Sequence, residues 1–249
     1  MSGLTVILSV DWEPDHGPWK WSQETVDYGG VLKGTPAFCA LLDELNIPCT
    51  WFVESSYDPE RDLPSCFAES VQQIASRPRD EIGLHIHWRR TSQNNTLFYE
   101  TQDEHWIGAQ LDQGVGQLEG LGISPRSFRS GALLHIQQLP RMLAQRSFAV
   151  DSSILWGKAN RLTPNHEHLL GKSVSSRCRT FVNRALGSLP EPYLTDIRDV
   201  ELRGNSDIVE FPITYSLFEV TDPLRGGIAR YWRWKAFFLG QSPYLAEDQ

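Results

Sequence analysis

The stretch EIGLHIHW, residues 81–88, decides how the chain is read. Successive side chains of a strand face opposite ways, so Ile82, Leu84 and Ile86 fall on one face, and His85 and His87 on the other. The pattern predicts a strand over 81–87 that is covered by helices on its apolar side and carries two imidazoles on the opposite side. The neighbouring segments repeat this organisation. Residues 4–11 read as a first strand, 49–54 (CTWFVE) as a second, 127–129 as a short fourth, 148–152 as a fifth and 208–214 (IVEFPIT) as a late one. Helical periodicity fills the intervals at 35–46, 64–77, 103–121 and 137–147, the first opened by Thr35 as N-cap with Pro36 at the first helical position. Strands alternating with helices predict a parallel α/β architecture, and no fixed period marks a solenoid.

Two stretches break the rhythm, 88–102 and 155–206, and both read as long loops. Residues 225–240 (RGGIARYWRWKAFFLG) read as an outer helix with a half-solvated face. The chain as a whole, 1–249, is expected to be one domain: a motif-bearing core over 4–155, a long loop over 155–206, and a late strand with a C-terminal helix over 208–240.

With 249 residues, 40% of them apolar, the chain can bury a substantial core. A net charge of −8 without a basic block in the first half argues against nucleic acid, whose binding leans on clustered positive charge. Cys39, Cys49, Cys66 and Cys178 lack CxxC spacing and are expected to be reduced, buried thiols of a cytoplasmic protein. The first apolar run stops at Asp11, too short for an export signal or a membrane span. Trp12, Trp19, Trp21, Trp88 and Trp106 stand in polar loops, where an indole serves either as a sugar platform or as core. Gly29-Gly30 and Gly226-Gly227 read as turns, and Asn94-Asn95-Thr96 as an unmodified sequon.

The chemistry concentrates at two strand ends. Asp11 and Glu13 share a face of the first strand, as His85 and His87 do on the third, and open α/β sheets and parallel barrels place their active sites at that carboxyl edge. Two imidazoles and one carboxylate are the protein ligands of many catalytic zinc sites, and the second carboxylate is left to act as general base. Such a set suits hydrolysis of an amide or ester.

SVDWEPD at 9–15, TWFVE at 50–54, EIGLHIHW at 81–88, SFRSG at 127–131 and VDSSI at 150–154 occur in the order and approximate spacing of one known pattern. In these motifs the chain resembles the polysaccharide deacetylases, the NodB-homology or carbohydrate esterase family 4 group, over about residues 4–155. The resemblance implies an irregular (β/α)7-type barrel and a divalent metal, with Zn2+ expected first and Co2+, Mn2+ or Ni2+ as alternatives. It makes Asp11 the catalytic base, Glu13, His85 and His87 the metal ligands, and Arg129 the residue that holds the base carboxylate through a guanidinium fork. Trp12, Trp88 and Asp151 become candidates for substrate binding, Asp151 equally for capping a turn. The implied reaction is removal of an acyl group, N-acetyl above all, from a sugar or a sugar-containing biosynthetic intermediate. The partner is then a small-molecule or carbohydrate substrate.

The chain departs from that pattern at three places. The family's second metal histidine lies four residues after the first, where this chain has Arg89, so His87 takes its place. No histidine follows His168, which leaves His16, His105, His135, His166 and His168 as candidates for the acid that protonates a leaving amine. The chain also ends soon after the late strand. Two alternatives stand beside deacetylation: hydrolysis of another C–N bond, as in a cyclic imide or an allantoin-like compound, and a non-catalytic carbohydrate-binding relative. A glycosidase is disfavoured, because carboxylates two apart on one strand lie on one side of a sugar instead of flanking its scissile bond.

Overall fold

The computed structural model describes residues 7–16, 26–27, 29–55, 65–91, 97–134, 136–154 and 191–213. The first apolar run forms β1 (Ser9–Trp12), followed by a short antiparallel pair, β2 (Asp15–His16) and β3 (Val26–Asp27). Helix α1 (Gly29–Leu45) leads to β4 (Thr50–Glu54), and α2 (Ser65–Ala75) to β5 (Glu81–Ile86). A hairpin of β6 (Arg89–Thr91) and β7 (Leu97–Tyr99) precedes α3 (Glu104–Glu119) and β8 (Ser127–Ser130). A 3-10 turn, Gly131–Leu133, and α4 (Leu139–Ala144) join β8 to β9 (Val150–Asp151). The last described elements are β10 (Tyr193–Asp196), β11 (Asp199–Arg203) and β12 (Val209–Glu210).

Eight of these strands make one sheet in the order β1-β4-β5-β8-β9-β12-β10-β11. From β1 to β12 the pairing is parallel and each strand lies beside its predecessor, while β10 and β11 add an antiparallel edge. The expected α/β sheet of parallel strands is therefore present. Among the described residues β1 and β11 are its two edges.

Alternation along the strands sorts the side chains. Trp51, Val53, Leu84, Ile86 and Phe128 are buried on the helix face against Leu42 of α1, Val71 and Ile74 of α2, Ile107 and Leu111 of α3, and Leu143 of α4. Each fully buried aliphatic or aromatic side chain of this kind contributes about 1.5–3 kcal/mol by transfer from water. Helix α3 approaches β5 so closely that a Cβ at Gly114 would stand 2.6 Å from Ser55 Oγ and 2.9 Å from Leu84 Cδ1, so only glycine fits.

Helices α1, α3 and α4 end in one way. Asn46 (φ 53°), Gly122 (φ 79°) and Ser147 (φ 62°) enter the left-handed region. The amide of the apolar residue that follows, Ile47, Ile123 or Phe148, then donates to the carbonyl of Leu42, Leu118 or Leu143. Each closure satisfies orphan carbonyls and turns the chain back toward its next strand.

Several sequence expectations are corrected. Gly29-Gly30 is not a turn but the opening of α1, which starts well before residue 35. Thr35 lies inside that helix, donates from Oγ1 to Val31 O at 2.6 Å, and receives the Trp12 indole N–H at 2.7 Å. Its hydroxyl thus bonds back four residues within the helix, beside Pro36, which has no N–H to give. The stretch 88–102, expected as a loop, contains the β6–β7 hairpin, whose polar composition hides its pairing. Within 155–206, β10 and β11 form an antiparallel pair. The helix expected over 225–240, the sequon at 94–96 and the side chains of Cys66 and Cys178 lie outside the described residues. Cys39 and Cys49 are free and buried, and burial pushes the Cys49 thiol up to about 12. Among the described residues no helix is long and apolar enough to cross a membrane.

On the helix face, β9 and β12 set Asp151 beside its register partner Glu210, both without exposed surface. Asp151 accepts a bond from Ser153 Oγ, and Glu210 Oε1 accepts the Ile154 amide at 3.0 Å. Burial first, and the Asp151 charge second, push the Glu210 carboxyl well above its ordinary range. A carboxyl raised on folding contributes stability that is complete at low pH and is lost as pH rises through the folded value. Glu210→Gln keeps the acceptor for Ile154 but cannot ionise, so its melting temperature is expected to decline less than that of the parent in a series of thermal melts run upward in pH from the ordinary carboxyl range. Parallel declines would refute the assignment.

Candidate metal centre

The polar face of the sheet is built strand by strand. Parallel register places Asp11, Phe52 and Gly83 side by side, and Glu54, His85 and Arg129 one step further on. Register partners in a parallel pair share a face, so these side chains gather at the carboxyl edge while Trp12, Val53 and Leu84 turn to the helices. Glu13 and His87 lie just past the ends of β1 and β5 and extend the same face.

Arg129 is the hub of this edge, with 5% of its surface exposed. Its Nη1 donates to Asp11 Oδ1 at 2.5 Å, its Nη2 to Ser9 Oγ at 2.8 Å and Ser152 Oγ at 3.1 Å, and its Nε to Ser152 O at 3.1 Å. The guanidinium carbon lies 4.0 Å from the centroid of the Phe52 ring. A planar fork held by these donors and stacked on a ring has one orientation, and it fixes the Asp11 carboxylate.

Beside it, Glu13 Oε2 lies 2.6 Å from His87 Nε2 and 3.7 Å from His85 Nε2, and the two Nε2 atoms are 3.2 Å apart. These three residues are the metal-competent cluster found among the described residues. Ligand atoms at about 2.0–2.2 Å from a tetrahedral zinc stand roughly 3.3 Å from one another, the scale of this triangle. His85 Nδ1 donates to the carbonyl of Arg129 at 3.0 Å, which leaves a lone pair on His85 Nε2 facing the triangle. The donor set therefore fits a divalent ion. Burial works to raise the Glu13 carboxyl, but the His87 and His85 rings outweigh it and hold it well below the usual carboxylate range. Burial disfavours a charged His85, yet the Asp11 and Glu13 carboxylates more than offset this and raise its proton affinity.

The structure brings Asp11, Glu13, His85, His87 and Arg129 to one edge. Trp12, Trp88 and Asp151, expected as substrate contacts, are buried in the interior. Trp12 packs at 4.3 Å centroid separation on Phe67, Trp88 Nε1 donates to Ser130 Oγ at 2.7 Å, and Asp151 holds the turn at Ser153. Of the histidines weighed as acid, His105 is exposed in the first turn of α3; His135, His166, His168 and the side chain of His16 lie outside the described residues.

Sequence reasoning passed over four contributors. Glu54 ends β4 on the polar face as register partner of His85, 2% exposed, and its alternation with Phe52 was the available signal. Ser9 and Ser152 hold Arg129 and carried no signal. Gly131 abuts the His87 ring: a Cβ there would lie 2.5 Å from His87 Cγ and 2.6 Å from Nδ1.

Comparison with solved structures finds a protein from Mycobacterium smegmatis described as a polysaccharide deacetylase, 19% identical, TM-score 0.47, covering 87% of this chain and 62% of that one. A second, from Bordetella bronchiseptica and described as a polysaccharide deacetylase involved in O-antigen biosynthesis, is 17% identical, with TM-score 0.40 and coverage of 79% and 59%. A third, IcaB from Ammonifex degensii, is 18% identical, with TM-score 0.44 and coverage of 75% and 75%. The chain thus spans about three fifths of the length of the first two. No protein-family model and no curated protein matches it.

Because the His87 ring occupies the space of a Gly131 side chain, Gly131→Ala is expected to cost about 1–3 kcal/mol through overpacking in urea unfolding. Gly116→Ala, whose Cβ meets nothing within 4 Å, is the control and is expected to match or exceed the parent's stability. Equal stability of Gly131→Ala and parent would show that the ring has room to move.

Proposed function

We propose that this chain is a metal-dependent hydrolase of the polysaccharide deacetylase type, acting on the amide of an N-acylated sugar or sugar-containing intermediate. The convergence of Glu13 Oε2, His85 Nε2 and His87 Nε2 beside an Arg129-held Asp11 carries this reading. In it the parallel sheet is the described part of an irregular barrel of one domain. Zn2+ suits two imidazoles and a carboxylate, with Co2+, Mn2+ and Ni2+ as substitutes in the same donor set. A divalent ion held there supplies Lewis acidity at the substrate carbonyl.

The chain's own residues do the rest. Asp11, oriented by two-point contact of Arg129 with β1 through Asp11 and Ser9, accepts the proton of the attacking water. Glu13 is set by hydrogen bonding to His87, and His85 by the Arg129 carbonyl, so one ligand and the base are tied to the same residue on β8. The Asp11, Glu13 and Glu54 carboxylates give this edge the negative charge that draws a divalent cation.

The test combines elemental analysis of chain purified without chelator with acetate release from a panel of N-acetylated sugars, and cyclic imides and allantoin-like compounds serve as competing C–N substrates. Asp11→Asn is expected to keep the metal and lose about 100- to 10,000-fold in kcat, the usual contribution of a positioned base. Glu13→Ala and His85→Ala are expected to lose the metal as well. A metal-free chain whose Glu13 and His85 variants are as stable as the parent, with no turnover after reconstitution, would overturn the reading.

A further inference from the structure

The two histidines of the triangle are held by opposite kinds of partner. His85 Nδ1 faces the Arg129 carbonyl, which only accepts, so in the neutral ring Nδ1 carries the proton and Nε2 presents a lone pair. His87 Nδ1 faces Arg89 Nη2 at 3.1 Å, and a guanidinium only donates. In that contact His87 Nδ1 is the acceptor, and the proton of the neutral ring sits on Nε2. That N–H points at Glu13 Oε2, 2.6 Å away, with His85 Nε2 at 3.2 Å. The proton therefore occupies the region where the three ligand atoms converge.

The arrangement is anchored by the backbone. The Arg89 amide donates to the His87 carbonyl at 2.7 Å, Arg89 pairs with Tyr99 across the β6–β7 hairpin, and the Glu100 amide donates to Trp88 O at 2.8 Å. On the other side the His87 ring is backed by Gly131. Ring and guanidinium are thus presented to each other by the hairpin.

We propose that Arg89 is a positioning residue which acts through His87 and weakens divalent-metal capture by Glu13, His85 and His87, because it holds His87 in the tautomer whose Nε2 carries a proton. The inference rests on the reading of these three residues as metal ligands. Capture at His87 Nε2 breaks that N–H bond. The ring can carry its proton on Nδ1 instead only when the partner there accepts, so Arg89 must first give up the contact. At metal-bound histidines the usual partner of the second nitrogen is an acceptor, as Arg129 O is for His85.

The experiment compares the parent with Arg89→Gln and Arg89→Lys. The glutamine oxygen accepts from Nδ1–H, whereas lysine still donates. Zn2+ affinity measured by competition with a chromophoric chelator is expected to rise roughly 10-fold in R89Q, within the range of outer-partner effects on metal sites, and to stay near the parent value in R89K. Imidazole 15N shifts of the metal-free chain are expected to show the His87 proton on Nε2 in the parent and on Nδ1 in R89Q. A residue that merely supports the fold would weaken binding in both variants. R89Q affinity equal to or below the parent's, or a parent His87 with its proton on Nδ1, overturns the inference and leaves the metal site standing. If neither parent nor variants take up Zn2+ while Glu13→Ala leaves stability unchanged, the metal reading fails and the inference with it.

Discussion

The Asp11 carboxylate and the His85 imidazole at the carboxyl edge depend on the Arg129 guanidinium and its carbonyl. A buried cation is costly unless its donors are matched, and here Asp11, Ser9 and Ser152 match them while Phe52 covers the face. Through the side chain, β8 holds β1, β4 and β9. Through the backbone oxygen it fixes the tautomer of His85 on β5. One residue thereby couples the orientation of a carboxylate to the availability of an imidazole lone pair. Replacement by lysine would keep the charge and lose the fork, and the register of four strands at this edge would lose its common anchor.

The charge arrangement has a second layer behind the sheet. Glu210 and Asp151 sit on the opposite face, enclosed and adjacent, and the raised Glu210 carboxyl avoids a second buried negative charge. The pair supports the segment after β9, where Ser152 turns inward to Arg129 and Ser153 Oγ accepts the Ser130 amide at 2.9 Å. The polar residues of VDSSI thus alternate between two jobs, one on each face.

Much of this was legible from alternation alone. Period-two patterning in 81–88 separates Ile82, Leu84 and Ile86 from His85, and the same reading of 9–13 separates Trp12 from Asp11 and Glu13. The parallel order of the strands follows from the helices between them. What stayed hidden was what depends on contacts distant in sequence. The indoles of Trp12 and Trp88 stand among polar neighbours in the sequence, yet Thr35 and Ser130 satisfy their N–H groups inside the core. Gly131 closes the SFRSG motif, and its need to be glycine emerges only when the His87 ring is placed against it. Arg89 reads as a departure from a motif, and only the hairpin shows which nitrogen it meets. Pro36 has the mark of a first helical position, yet α1 begins at Gly29 and runs through it.

The chain-order succession of β1, β4, β5, β8 and β9 has a consequence for how the molecule assembles. Each of these strands lies beside the parallel strand that precedes it in the chain, so this part of the sheet pairs in chain order. The site follows a different schedule. Asp11 and Arg129 are separated by 118 residues, and Ser152, which completes the guanidinium's shell, comes later still. A chain growing from its N-terminus can build sheet and helices progressively, but it has no oriented base and no fixed His85 tautomer until β8 and β9 arrive. The three ligand side chains belong to the first strands of the sheet, but the orientation of the base and of the His85 ring is completed only by strands that come later in the chain.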